Sequence, residues 1–239
     1  MNLRYDLHRT LWRAVDYLYP PVCAGCGAQN HRLCPSCLSQ IRMIHFPFCA
    51  LCGKKVRSTQ ILCSDCSVTP IHFNAVTAWG EYDGVLREAI HALKYKSDLG
   101  LGDLFADYLI RLIIDKDWQF DLVVPVPISK ERQKERSYNQ AALLSRPIAR
   151  YFRVDHSTIS LKKVKDTGSQ VQRGRTDRDL ALADAFWGNP AKLKGRNVLL
   201  VDDIITTGAT INHCSAALRK AGAEKVNAIS IARTFRKNA

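Results

Sequence analysis

Two adjacent carboxylates, Asp202 and Asp203, follow an apolar run, Val198-Leu-Leu-Val201, and precede Ile204-Ile-Thr-Thr-Gly-Ala-Thr210. Acidic groups at the end of a buried strand are costly unless each finds a partner once water is removed. Two neighbouring hydroxyls of one sugar would supply such partners by donating to Asp202 and Asp203. The small residues that follow suit a phosphate. Where such a loop opens a helix, backbone N–H groups and the positive end of the helix dipole face the anion. Thr206, Thr207 and Thr210 add hydroxyl donors, while Gly208, next to Ala209, removes the Cβ that would hold a ligand off. The stretch reads as a sugar-phosphate site. Neither GxxxxGK nor GxGxxG occurs, so nucleotide hydrolase and dinucleotide-binding readings lose their support.

A second chemistry lies near the other end. Eight of the nine cysteines form four CxxC pairs: Cys23/Cys26, Cys34/Cys37, Cys49/Cys52 and Cys63/Cys66. Each CxxC places two sulfurs on one turn, and two such turns close a tetrahedral Cys₄ zinc site with no vacant ligand position. Two structural zinc ions are therefore expected. The simplest pairing is sequential, the first four cysteines on one ion and the last four on the other, although spacing alone leaves a crossed pairing open. Redox chemistry of the thioredoxin kind would need a βαβ context that this segment lacks. The ninth cysteine, Cys214, reads as a small core residue.

Composition narrows the class. The chain has 239 residues, 46% hydrophobic and 24% charged, which suits one or two globular domains with a buried core. No run reaches the ~18–20 apolar residues of a spanning helix. Arg4, Asp6, Arg9, Arg13 and Asp16 interrupt the N-terminus, which argues against a secretory leader and predicts a cytoplasmic protein. In that reducing compartment paired cysteines hold metal rather than form disulfides. Net charge is +13, and the window Ile128–Arg178 alone holds 13 basic and 5 acidic residues, 13 − 5 = +8. Such a concentration fits a polyanion, either phosphates or nucleic acid.

The elements that must position these groups follow from periodicity. Leu3, Leu7, Leu11, Val15 and Leu18 mark an amphipathic helix closed by Pro20-Pro21. Residues 23–66 read as knuckles with little core of their own. Beyond Pro70, strands are predicted at Ala75–Gly80, Asp121–Pro127, Asn197–Val201 and Lys225–Ala232. Helices are predicted at Val85–Tyr95, Leu101–Ile114, Asn139–Phe152 and Ala209–Ala221. Strands alternating with helices imply a mainly parallel open sheet covered on both faces, an α/β fold. Lys162–Asp179, polar and without period, reads as a mobile loop. Residues 1–70 form the cysteine-rich zinc module and 71–239 the α/β domain.

The stretch from Val198 to Thr210 resembles the 5-phosphoribosyl-1-diphosphate (PRPP) motif of type I phosphoribosyltransferases. That resemblance implies that Asp202 and Asp203 take the ribose 2- and 3-hydroxyls and that Thr206–Thr210 cradle the 5-phosphate. Tyr19-Pro-Pro-Val-Cys-Ala-Gly-Cys26, the four CxxC pairs, His91-Ala-Leu-Lys-Tyr95, Val124-Pro-Val-Pro127, Arg136-Ser-Tyr-Asn-Gln140, the Gln170–Arg178 loop and Ala185-Phe186 are similar to the ComF competence family. That family includes GntX-type proteins. Ser137 departs from the family's usual Gly, and Lys162-Lys163 from a more usual Arg nearby. The resemblance implies a zinc-ribbon-like head on a phosphoribosyltransferase domain. It also implies a role in natural transformation or use of external DNA, on the cytoplasmic side of single-strand DNA uptake, in some lineages beside a DNA-translocating ATPase.

Three readings compete. The first is a PRPP-dependent transferase with Mg²⁺, in which Lys94, Lys130, Arg132 and Arg136 neutralise the diphosphate through Lys point charges and Arg forks. The second is a single-stranded-DNA-binding adaptor that keeps the pocket and uses the basic stretch with Tyr138, Tyr151 and Phe152. The third, a purely structural zinc scaffold, leaves the phosphate loop unexplained.

Overall fold

The computed structural model describes residues 16–44, 47–50, 56–57, 59–60, 62–64, 66–95, 98–164 and 185–235. Its frame is a five-stranded sheet in the order β1-β7-β6-β2-β3, with every pairing parallel: β1 Ala75–Glu81, β2 Leu122–Pro125, β3 Asp155–His156, β6 Asn197–Ile205 and β7 Lys225–Arg233. The central strand β6 is apolar on both faces because helices cover both. Leu199 and Val201 join Ile229 and Ile231 in one core with α2 (Gly84–Tyr95), α3 (Gly100–Asp115) and α5 (Gln140–Phe152). Val198 and Leu200 turn the other way, to a core that contains Ile211, Cys214 and Leu218 of α7 (Ala209–Lys220). The period of two along a strand divides the two cores.

The long elements fall where periodicity puts them, with ends shifted by a few residues. The motif strand runs on to Ile205, so Asp202 is still paired, to Ser230 of β7. One boundary differs in kind. Lys162 and Lys163, read as the start of a loop, belong to β4 (Leu161–Lys163), which pairs antiparallel with β5 (Phe186–Gly188). Leu161 is buried, but its partner strand is more than twenty positions away in sequence, beyond the reach of a local period. Val164 continues the pairing by donating to the Ala185 carbonyl at 2.8 Å, while residues 165–179 of that expected loop and the Leu3–Val15 part of the N-terminal helix lie outside the described residues; residues 16–18 are helical. A short helix without apolar period, α4 (Lys130–Arg136), and the Pro-capped turns α1 (Pro35–Ser39) and α6 (Pro190–Leu193) complete the set.

The cysteine-rich segment is built into both cores. Cys23, Cys34 and Cys37 share one with Trp79 and Leu86; Cys49, Cys63 and Cys66 share the other with Ile205 and Ile211. Met43 bridges Gly80 at the edge of β1, and the Arg42 carbonyl accepts from Glu81 N at 2.8 Å. Asn212 on α7 clamps the connecting chain: its Oδ1 accepts from His72 N at 3.0 Å and its Nδ2 donates to the Pro70 carbonyl at 2.9 Å.

Candidate functional site

The site lies at the carboxyl end of the central strands, where an open α/β sheet leaves a crevice between its loops. Asp202 Oδ1 accepts from the Asp203 amide at 2.9 Å, and Asp203 Oδ1 from the Ile204 amide at 2.7 Å, so both carboxylates are oriented by their own backbone. Burial of the Asp202 carboxyl, reinforced by the neighbouring Asp203 charge, pushes its pKa well above the ordinary carboxylate value. Lys94, on the last turn of α2, holds Asp203 Oδ2 at 2.8 Å, with both side chains about 15% exposed. The expected partner of Lys94 is a diphosphate; the fold places it on the acidic pair.

The loop after the strand fits an anion. Thr206 and Thr207 are exposed, and Gly208, at φ 75°, caps α7 in a left-handed conformation that favours glycine. Ala209 and Thr210 open the helix, and Thr207 Oγ1 accepts from Ala209 N at 3.4 Å. The chain thus turns from strand to helix with exposed hydroxyls at the helix start. Cys214 is fully buried in α7.

Of the expected basic groups, the structure brings Lys94 and Arg136 to this end of the sheet. Lys130 and Arg132 lie on the backbone of α4, their side chains outside the described residues. Arg136 Nη1 donates to Gln140 Oε1 at 3.3 Å and Nη2 to the Tyr95 hydroxyl at 2.9 Å, with the guanidinium 5.0 Å over the Tyr95 ring. Asn139 caps α5 by accepting from Ala141 N, while its Nδ2 donates to the Val126 carbonyl at the end of β2. The roles of Tyr95, Asn139 and Gln140 escaped charge-based reading because none is ionised at neutral pH. Arg136 and Gln140 end and open separate helices across the left-handed Ser137, so no helical spacing links them in the sequence.

The thiols gather in sequential sets. Sγ atoms of Cys23, Cys26, Cys34 and Cys37 all lie within 4.8 Å of one another, as do those of Cys49, Cys63 and Cys66; Cys52 lies outside the described residues. Burial works against the Cys23 thiolate, but amide donation from Cys34, Cys26 and Gly25 overcomes it and brings the thiol to about 6. The Cys34 amide donates to Cys23 Sγ at 3.3 Å. Four soft donors, one already favoured as thiolate by backbone N–H groups, fit a closed zinc site.

Comparison with known proteins agrees. The double zinc ribbon domain family matches residues 14–67, and the phosphoribosyl transferase domain family matches residues 139–239. Competence protein F of Haemophilus influenzae is 31% identical over 222 residues, which cover 88% of this chain and 96% of that protein. Competence protein ComFC of Bacillus subtilis is 29% identical over 234 residues, 93% of this chain and 89% of its own. The DNA utilization protein YhgH of Escherichia coli is 23% identical over 222 residues, 85% and 97%. Among solved structures, the glutamine PRPP amidotransferase of Bacillus subtilis superposes with a TM-score of 0.39 at 18% identity, over 54% of this chain and 26% of that one. A double zinc ribbon joined to a phosphoribosyltransferase-type α/β domain is the class of protein defined here. The chain belongs to the ComF family of competence proteins.

Proposed function

We propose that this protein binds PRPP with Mg²⁺ at Asp202–Thr210 and acts as a phosphoribosyltransferase-like component of natural competence or use of external DNA. The proposed place of action is the cytoplasmic side of single-strand DNA uptake, with a DNA-translocating ATPase as a candidate partner. Residues 1–70 serve as the zinc-bearing head and 71–239 as the ligand-binding body. Among the described residues, no helix is long and apolar enough to cross a membrane. One observation carries the reading. The acidic pair and the Gly208-capped helix stand at the same strand end, so one ligand with vicinal hydroxyls and a phosphate can span both. Mg²⁺, when bound, draws charge from the leaving pyrophosphate. The chain's own part is to orient the ribose through Asp202 and Asp203, hold the 5-phosphate at Thr206–Thr210, and meet the diphosphate with Arg136. Lys94 exchanges Asp203 for that diphosphate when the ligand arrives. Asp202→Asn or Asp203→Asn removes one charge-assisted acceptor, so calorimetry should read a ~10–150-fold loss of PRPP affinity. Wild-type affinity in both variants would refute the assignment.

The second reading, an adaptor for single-stranded DNA, draws support from the β4–β5 pair. Lys162 Nζ lies 6.0 Å over the Trp187 ring, and the indole is 44% exposed, a cation beside an open aromatic face of the kind on which bases stack. If this face tracks a strand, neutralising Lys162, Lys163 and Lys165 to Gln should reduce the salt slope of DNA binding by up to about two units. A control triple at Lys192, Lys194 and Lys225 should leave it unchanged. Equal effects from both triples would reduce the basic stretch to a charged surface.

A further inference from the structure

Three contacts fix one guanidinium at the carboxyl end of the sheet. Arg136 is the last residue of α4; Gln140 accepts from its Nη1, Tyr95 accepts from its Nη2, and the Tyr95 ring lies under its plane. The neighbouring hydroxyl of Tyr138 donates to the Leu93 carbonyl, and Asn139 Nδ2 to the Val126 carbonyl, so the turn after α4 is tied to both the end of α2 and the end of β2. The adjacent residue on α2, Lys94, reaches Asp203. Two donors in this cluster are left over. Arg136 Nε and Gln140 Nε2 are buried without a hydrogen-bond partner among the described residues, and Gln140 is only 1% exposed. Such unmatched donors leave the hydrogen bonding of this cluster incomplete within the fold. With Nη1 and Nη2 each committed by one N–H, the remaining donors of the fork keep a single orientation, the condition for bidentate capture of phosphate oxygens.

We propose that Tyr95 and Gln140 are positioning residues that pre-orient Arg136 for the diphosphate arm of the ligand. This rests on the PRPP reading above. Thr206–Thr210, which follow the acidic pair in the chain, serve the 5-phosphate in that reading, while the Arg136 cluster is joined to Asp203 through α2, where Lys94 holds Asp203 and its chain neighbour Tyr95 holds Arg136. The cluster therefore contributes to a ligand bearing a second phosphate group and not to the sugar monophosphate.

The test is calorimetry of the full zinc-loaded chain with Mg²⁺ and either PRPP or ribose 5-phosphate. Tyr95→Phe keeps the ring and removes only the acceptor on a side chain 56% exposed, so folding is preserved. It should weaken PRPP about 5–20-fold, at or just below the lower end of the range for a hydrogen bond to a charged group because Tyr95 acts through Arg136, while ribose 5-phosphate affinity stays within about twofold. Gln140→Met should act in the same direction. In an Arg136→Ala background, Tyr95→Phe should produce no further loss, because a positioning residue acts only through the group it positions. Equal weakening of both ligands, or an additive loss in the Arg136→Ala background, would overturn the inference. If Asp202→Asn abolishes PRPP binding and Tyr95→Phe leaves it intact, this inference fails while the PRPP reading stands. Absence of PRPP binding by the unaltered chain overturns both.

Discussion

Asp202 carries a conflict between stability and binding. Its burial and the adjacent Asp203 charge favour the protonated form in the folded chain, so the native state holds a proton that the unfolded chain releases more readily. Stability from this group is therefore lost as pH rises from the ordinary carboxylate value near 3.9 into the raised range of Asp202. Asp202→Asn removes that loss. The ligand-free variant should melt higher than the parent at pH 7, and the difference should shrink toward zero as pH falls to about 4. Thermal scans across that interval provide the check; a variant less stable than the parent at pH 7 would show that the Asp203 amide needs the charged acceptor. Together with the affinity loss expected above, the residue would be shown to be retained for ligand and not for the fold.

At the scale of elements, the turn between α4 and α5 stores backbone strain where it delivers side chains to the site. Ser137 sits at φ 63°, the left-handed region that favours glycine, and so accounts for the family's usual Gly at that position. A left-handed non-glycine costs roughly 1–2 kcal/mol, against which glycine's extra chain entropy costs roughly 0.5–1. Ser137→Gly should therefore stabilise by about 0.5–1 kcal/mol, a rise in Tm of about 1–4 °C for a chain of this size. A fall in Tm would mean that the serine hydroxyl compensates its own strain. The same turn sets Tyr138 on the Leu93 carbonyl and Asn139 on Val126, so its conformation decides where Arg136 stands.

The whole molecule behaves as more than a head attached to a body. Sequence reading gave the cysteine segment little core of its own, and the structure supplies the missing core from the α/β domain: Cys37 packs in the cluster of Trp79 and Leu86, and Cys66 in that of Ile205 and Ile211. The fully buried Arg233 at the end of β7 adds a link, with Nη2 donating to the Ala50 carbonyl at 3.3 Å next to Cys49. Elemental analysis should find about two zinc ions per chain. Stripping them with a strong chelator should lower the melting temperature of the α/β domain as well as expose the head to protease, since both cores lose cysteine packing. An unchanged melting transition of the α/β domain after complete zinc removal would contradict this shared-core arrangement.

Whatever depends on local order is legible in the residues as they follow one another. The apolar run Val198–Val201, the acidic pair and the small-residue loop are contiguous, so strand, turn and helix start could be read in one pass, and with them the proposal of a sugar-phosphate pocket. The CxxC pairs likewise pointed to clustered thiols suited to zinc, because two sulfurs on one turn are a local fact. Contacts between segments distant along the chain emerge once the chain has folded. The fold gathered the thiols in sequential sets and paired Lys162 with Trp187 across the antiparallel β4–β5 ladder. It also set Lys94 against Asp203, 109 positions later, and brought Tyr95 to Arg136. Such partners carry no shared period and no fixed spacing. They meet because burying both faces of a parallel sheet leaves its strand ends, and the loops they carry, together at one edge.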